Sequence, residues 1–252
     1  MLNFTDIHKS YKDRQGETHV FKGFNLSIPS NKFVSFIGPN GCGKTTLLNM
    51  IAGLVSPDEG SITLDNEPIL GKKHGFVFQD YRNSLFPWKT AKDNIAFPLK
   101  IKGVSSTDID VQVNAICSRF NCNFDLDSYP YQLSGGQQQF ISLLRGLIVN
   151  PDIYLFDEPF SSLDYSTTLF MQEMISKIWL DTKLTTLFVS HNVDEAIFLS
   201  DMIVVLSKKP TSVNKIFDNT LPHPRTLDLI GSSEFAKLKS DILSVYTQES
   251  NL

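Results

Sequence analysis

Hydrophobic positions recur along this chain at two periods, and the switches between them mark its organisation. Leu2-Asn3-Phe4-Thr5-Asp6-Ile7 alternates as a strand does, and residues 19–28 read as a second strand before the turn Pro29-Ser30-Asn31. Residues 11–16 read as the loop between them. A continuous apolar run, Phe33-Val34-Ser35-Phe36-Ile37, precedes a glycine-rich stretch, after which Leu47, Met50/Ile51 and Leu54 recur at helical spacing. Ser56-Pro57-Asp58-Glu59-Gly60 is a turn, Ser61-Ile62-Thr63-Leu64 a short strand, and Phe76-Val77-Phe78 an apolar strand with Gln79 at its end.

The character changes near Phe86-Pro87-Trp88, and residues 90–150 are mostly helical in pattern. Ile95, Leu99 and Ile101 mark one helix; Ile109, Val113 and Ile116 mark a second after a loop at 103–107. A further loop through Asp127, Pro130 and Gly135-Gly136 leads to an amphipathic helix carrying Phe140, Leu143/Leu144 and Leu147/Ile148. This region reads as a helical insertion in an α/β core. Beyond Pro151-Asp152, Ile153-Tyr154-Leu155-Phe156 is a continuous apolar strand of the kind a parallel sheet buries on both faces. A helix over 167–179 follows, its apolar side drawn by Leu169/Phe170, Met174 and Ile178. Strand 185–189, helix 193–199 and strand 202–206 complete the alternation, whose βαβ intervals predict a wound α/β sheet. Phe235, Leu238 and Ile242 predict a terminal helix packed on the core, with the last six residues frayed.

Composition narrows the function classes. A chain of 252 residues holds one large domain or two intimate subdomains. Lys plus Arg number 23 against 27 Asp plus Glu, so no basic surplus marks nucleic acid as a partner. The three cysteines, Cys42, Cys117 and Cys122, follow no metal-ligand spacing and suit a reducing compartment. The N-terminus offers no apolar signal segment, and no apolar run approaches the eighteen or so residues of a membrane span. A soluble intracellular protein is expected, with peripheral attachment to a membrane partner open. Aromatics at 11% beside charged residues at 20% suggest apolar surface for a partner.

Candidate chemistry centres on Gly38-Pro39-Asn40-Gly41-Cys42-Gly43-Lys44-Thr45-Thr46. Strand before and helix after give the context a phosphate-cradling loop requires. Its glycines let N–H groups converge, and the helix start adds its positive dipole end. Lys44 is placed to reach β- and γ-phosphates, and the Thr45 hydroxyl to ligand Mg²⁺. The bland alternative is a glycine-rich turn that binds nothing, and spacing, lysine, hydroxyl and flanks all oppose it. Asp157, at the end of an apolar strand, can coordinate Mg²⁺, and Glu158 after it can polarise an attacking water. Gln79 can reach the metal or that water with its amide, or be a surface glutamine. His191, after strand 185–189, can hydrogen-bond a γ-phosphate, or be a plain surface histidine. His8, His19, His74 and His223 read as surface residues. Leu133-Ser134-Gly135-Gly136-Gln137 forms a second anion-binding corner before a helix. Two such corners about ninety residues apart make sense if the second serves a neighbouring chain's nucleotide.

Taken together and in order, the phosphate loop, Gln79, the 133–137 corner, Asp157-Glu158, Ser161-Ser162-Leu163-Asp164 and His191 resemble the ATP-binding cassette ATPases over residues 2–210. The resemblance implies a P-loop NTPase with a RecA-like core, an N-terminal antiparallel β subdomain and an inserted helical subdomain. One domain is then expected, with 1–87 and 151–210 as nucleotide-binding core, 88–150 as helical subdomain and 211–252 as a short extension. It further implies a head-to-tail homodimer with two ATPs, each held by one subunit's Lys44 loop and the other's Ser134, Gly135, Gly136 and Gln137. Tyr11 matches the aromatic that stacks on adenine, and Asp164 closes the segment linking the two sites.

Gly41-Cys42-Gly43-Lys44, Val77-Phe78-Gln79-Asp80, Leu85-Phe86-Pro87-Trp88, Asp157-Glu158-Pro159-Phe160, the stretch from Asp194 to Asp201 and the tail from Pro222 to Arg225 are similar to importer ATPases for nitrate, sulfonates, taurine and thiamine precursors. That subgroup implies permease subunits docking near Phe86-Trp88, a solute-binding protein, and a peripheral place on the cytoplasmic face of the membrane. Asn40, Gln138-Gln139 and Gly146 depart from the family's usual residues. An exporter ATPase for lipid or drug shares the same nucleotide chemistry, and a soluble cassette without a transport role is the other alternative.

Overall fold

The computed structural model describes residues 1–13 and 16–250. In chain order the elements are β1 (Leu2–Asp13), β2 (Gly16–Ile28), β3 (Phe33–Ile37), α1 (Lys44–Ile51), β4 (Glu59–Leu64), β5 (Glu67–Pro68) and β6 (His74–Val77). Next come α2 (Tyr81–Ser84), α3 (Ala91–Ile101), α4 (Ser106–Arg119), α5 (Gly135–Leu147), β7 (Ile153–Asp157) and α6 (Tyr165–Thr182). The chain ends through β8 (Thr185–Val189), α7 (Val193–Leu199), β9 (Met202–Leu206), β10 (Val213–Asp218) and α8 (Ser233–Ser250). It divides into two compact units, Met1–Lys72 with Thr182–Leu252, and Lys73–Asp181.

In the first unit an antiparallel sheet runs β2-β1-β4-β5. A second set runs β10-β9-β3-β8, with β3 parallel to both β8 and β9 and β10 antiparallel at the edge. All five residues of β3, of β8 and of β9 are buried, as the continuous apolar runs predicted. One face of this sheet is covered by α7 and α8. Ile37, Ile203 and Val205 meet Ala196 and Ile197 of α7 and Phe235 and Ile242 of α8 in a single cluster. The terminal helix therefore packs as expected. It continues to Ser250 rather than fraying over its last six residues, and residues 251–252 lie outside those described.

In the second unit β6 and β7 pair in parallel, and α5 lies against β6 and α3. Helices α3, α4 and α5 each start on a side-chain cap: Thr90 accepts from Asp93 N at 3.2 Å, Ser105 from Asp108 N, and Ser134 from Gln137 N. Tyr154 is almost completely enclosed here, its hydroxyl donating to Leu143 O at 2.5 Å. Its ring needs glycines opposite. A Cβ on Gly75 would lie 2.6 Å from Tyr154 Cδ2, and one on Gly146 would lie 3.0 Å from Cε2. The large Tyr154 thus accounts for glycine at position 146.

Several local expectations are corrected. Tyr11 lies on β1, opposite Thr18, and not in a loop: the hairpin strands are longer than their apolar stretches, and residues 14–15 lie outside those described. Leu54 is beyond the end of α1 and exposed. Gly135 and Gly136 form the first turn of α5, because Ser134 caps it there. In α6 the buried stripe is Met171, Ile175, Ile178 and Trp179, with Phe170 exposed, and Ile101 of α3 is likewise exposed. Neither β10 nor α2 is expected from the sequence: β10 has only six residues and no strict alternation, and α2 has four, mostly polar.

Gly75→Ala is expected to lower unfolding free energy by about 1–3 kcal/mol, the usual cost of forcing a methyl group into a filled core. Urea denaturation of the variant beside the parent measures it, and an unchanged midpoint would contradict the contact with Tyr154.

Candidate functional site

The loop between β3 and α1 is shaped by a backbone that only glycine accepts at its last turn. Gly43 has φ 114° and caps α1, and a Cβ there would lie 2.5 Å from Val20 Cγ1 and 3.1 Å from the Phe21 ring. Cys42 N donates to Pro39 O at 3.2 Å, closing the preceding turn, and the Thr211 hydroxyl donates to Cys42 O. Lys44 opens the helix and is 6% exposed. Its ammonium curls back to donate to Gly38 O at 2.8 Å and Pro39 O at 3.1 Å, within its own loop. Asn40 and Thr45 are exposed, Thr46 half-buried. Burial pushes the Cys42 thiol up, against the opposing pull of Lys44.

β8 runs parallel to β3 as its neighbour, so His191 and the loop leave the same edge of the sheet. Ser190, between β8 and His191, is buried and donates to Glu195 Oε2 at 2.5 Å, while Asn192 caps α7 through Asp194 N. Those bonds fix the backbone that presents the exposed His191. Tyr11 is half exposed on β1, with the Lys9 ammonium 5.4 Å from its ring centre.

In the second unit β6 and β7 run side by side in parallel, so Gln79 and Glu158 also leave one edge together. Gln79 Nε2 donates to Glu158 Oε2 at 3.4 Å. Asp157, last in β7, is buried, and Glu158 turns the chain with φ 44°. For a residue other than glycine that left-handed conformation costs about 1–2 kcal/mol. It is held by Gln139, fully buried on α5, which donates to Pro159 O, and by Ser161 N donating to Glu158 O at 3.2 Å. At the 133–137 corner, Ser134 and Gln137 form a reciprocal capping box: Gln137 N donates to Ser134 Oγ at 3.3 Å and Ser134 N to Gln137 Oε1 at 2.9 Å. Asp164 accepts from the hydroxyls of Ser166 and Thr167 and from Thr167 N, which hold its carboxyl far below the ordinary range.

A family model described as ABC transporter matches residues 21–161. The chain belongs to the ABC transporter family. It is 37% identical over 247 residues to an aliphatic sulfonates import ATP-binding protein, SsuB, of Bacillus cereus, covering 97% of this chain and 95% of that one. An uncharacterized ABC transporter ATP-binding protein of Methanocaldococcus jannaschii, MJ0412, is 38% identical over 251 residues, covering 98% and 92%. Among solved structures, the dimeric bacterial ABC transporter cassette MJ0796 aligns with a TM-score of 0.75 at 30% identity, covering 88% of this chain and all of that one. The fold is that of an ABC cassette, an α/β P-loop NTPase, and the protein is a transport-coupled ATPase.

Sequence reasoning missed several residues that position this ABC ATPase's candidate groups. Asn94 is wholly buried and clasps the Phe86 loop: its Oδ1 accepts from Phe86 N at 2.9 Å, and its Nδ2 donates to Phe86 O, Lys89 O and Thr90 O. Arg145 donates to Ser84 O at 2.7 Å beneath the same loop. Arg225 is buried and caps the end of α7, donating to Ile197 O, Phe198 O and Ser200 O, with burial pushing it down to about 10. Two histidines read as surface are not: His74 is half-buried with burial lowering it, and His223 bonds Asp201 at 3.1 Å. Gln138 and Gln139, where basic residues are common, bond loop carbonyls instead.

Asn94→Ala strands the N–H and C=O of Phe86 and is expected to cost about 2–4 kcal/mol, combining lost bonds with unsatisfied groups. Limited proteolysis and a thermal melt check it. A variant as resistant as the parent at residues 86–90 would contradict the clasp.

Proposed function

We propose that this chain is the ATP-hydrolysing subunit of an importer, working as a head-to-tail dimer on the cytoplasmic face of a membrane. The observation that carries this reading is the strand–loop–helix around Lys44, in a chain 37% identical along most of its length to a sulfonate import ATP-binding protein. The N–H groups of the Gly38 to Thr46 loop and the Lys44 ammonium bind the β- and γ-phosphates of ATP, and Tyr11 stacks on adenine. Thr45, Gln79 and Asp157 hold Mg²⁺. Hydroxyl, amide and carboxylate oxygens are the hard ligands this ion takes, so the donor set fits. Mg²⁺ held there would offset charge developing on the transferred phosphoryl group.

Glu158 polarises the attacking water, supported by its place after Asp157 and by the amide of Gln79 on its carboxylate. Gln79 and His191 respond to the γ-phosphate. The partner's Ser134, the partner's Gly135, the partner's Gly136 and the partner's Gln137 close over the nucleotide. The dimeric form of the MJ0796 cassette supports that assembly. Among nitrate, sulfonates, taurine and thiamine precursors, the SsuB likeness favours an aliphatic sulfonate delivered by a solute-binding protein.

The permease subunits dock at the Phe86-Trp88 loop. Trp88 is 71% exposed, whereas Leu85 is buried, so the tryptophan faces outward and the leucine anchors the loop. Phe86 lies against Phe97 at 4.4 Å and Trp88 at 5.7 Å, and the Arg145 guanidinium lies 5.8 Å from its centre. A fixed exposed aromatic of this kind is a common anchor at protein interfaces.

Glu158→Gln is expected to bind ATP and lose ~10²–10⁴-fold in turnover, accumulating as an ATP-bound dimer in sedimentation. Turnover within a few-fold of the parent would remove Glu158 from its role. Trp88→Ala is expected to retain hydrolysis and its melting temperature while losing co-purification with the co-expressed permease subunits. Normal co-purification would move docking elsewhere.

A further inference from the structure

The end of α4 carries two thiols that the nucleotide chemistry does not use. α4 buries Ile109, Val113 and Cys117 at four-residue spacing, so Cys117 ends its apolar stripe. Phe120 follows the helix and Asn121 turns left-handed, with φ 54°. Cys122 N then donates to Cys117 O at 3.0 Å and Asn121 N to Ser118 O at 3.4 Å. These are the paired bonds of a Schellman stop, which sets the side chains at these two positions against each other, ordinarily as an apolar contact. Here both are cysteines, and both are free.

Each thiol acts on the ionisation of the other. Interaction between the two thiols favours loss of one proton from the pair and opposes loss of the second. Cys117 is buried and Cys122 half-buried, at a groove of about 580 Å³ whose lining is mostly polar, with Asn114, Ser118, Asn121 and Asn123. A backbone bond of this length keeps the two Cα atoms within the roughly 4.4–6.8 Å that a disulfide spans.

We propose that Cys117 and Cys122 form a thiol–disulfide exchange site, which takes a low-molecular-weight disulfide of the oxidised-glutathione class in that groove and closes to an internal disulfide. The pair loses one proton to solvent, and Cys122, the sulfur open to the groove, attacks one sulfur of the reagent as the thiolate. A Cys122 mixed disulfide forms and one thiolate leaves. Cys117 then loses its proton to solvent and attacks Cys122 Sγ, expelling the second thiolate. The protein pair is oxidised by two electrons and the reagent reduced to two thiols.

The test is incubation of the full chain with oxidised glutathione, acid quenching, alkylation and peptide mapping by mass spectrometry. Cys117 and Cys122 are expected to lose two hydrogens together and escape alkylation, while Cys42 is alkylated once the chain is unfolded. Cys117→Ser should stop at the glutathione adduct on Cys122. Cys122→Ser should react at least ~10-fold more slowly, since its remaining thiol is buried. A lasting Cys122 adduct in the parent, or two cysteines that both stay alkylatable while a small dithiol peptide is oxidised alongside, overturns the proposal.

Discussion

The close approach of β2 to the phosphate loop sets the terms for the rest of the first unit. Val20 and Phe21 stand so near Gly43 that no side chain fits there, and the backbone must turn with positive φ before α1 can begin. That turn makes Lys44 the first helical residue, so its ammonium folds back over Gly38 and Pro39 rather than out to solvent. Thr211, just after β9, fixes the carbonyl of Cys42 from another side. The antiparallel sheet, the loop and the chain after β9 thus brace one another at a single point. A loop braced in this way need not reorganise to bind a ligand, which is what the proposed phosphate binding calls for.

A comparable logic holds Glu158. Its strand ends in a buried carboxylate, the next residue is forced into a left-handed conformation, and the turn that follows is tied to α5 through Gln139 and Pro159. α5 begins at the Ser134 capping box, so the 133–137 corner and the turn after Glu158 both contact one helix. The Phe86 loop is fastened to the same helix through Arg145.

What the sequence made legible was whatever rests on local pattern. The loop 38–46 carries its glycines, lysine and hydroxyls consecutively, and the apolar runs of β3, β7, β8 and β9 are unbroken because both faces are buried. What it hid depends on distant partners. Asn94 reads as an ordinary helical polar residue until its four bonds to residues 86–90 are seen, and Gln139 looks misplaced on an apolar helix until Pro159 meets it. Tyr11 reads as a loop residue because its hairpin strand continues past the apolar positions, carried by pairing with β2 alone. Gly146 looks like a departure from family usage, and its reason lies eight residues on, in the bulk of Tyr154.

The central claim is that each ATP is shared between the Lys44 loop of one subunit and the Ser134 corner of its partner. A mixed dimer of a Lys44→Ala chain and a Ser134→Arg chain, isolated through separate tags, tests it most directly. Shared sites place both lesions in one site and leave the other intact, so the mixed dimer is expected to close one site, seen by ATP-dependent crosslinking between cysteines introduced beside the loop and the corner. Neither homodimer should do so. A mixed dimer that never crosslinks under ATP, while the unmutated dimer does, would contradict the account.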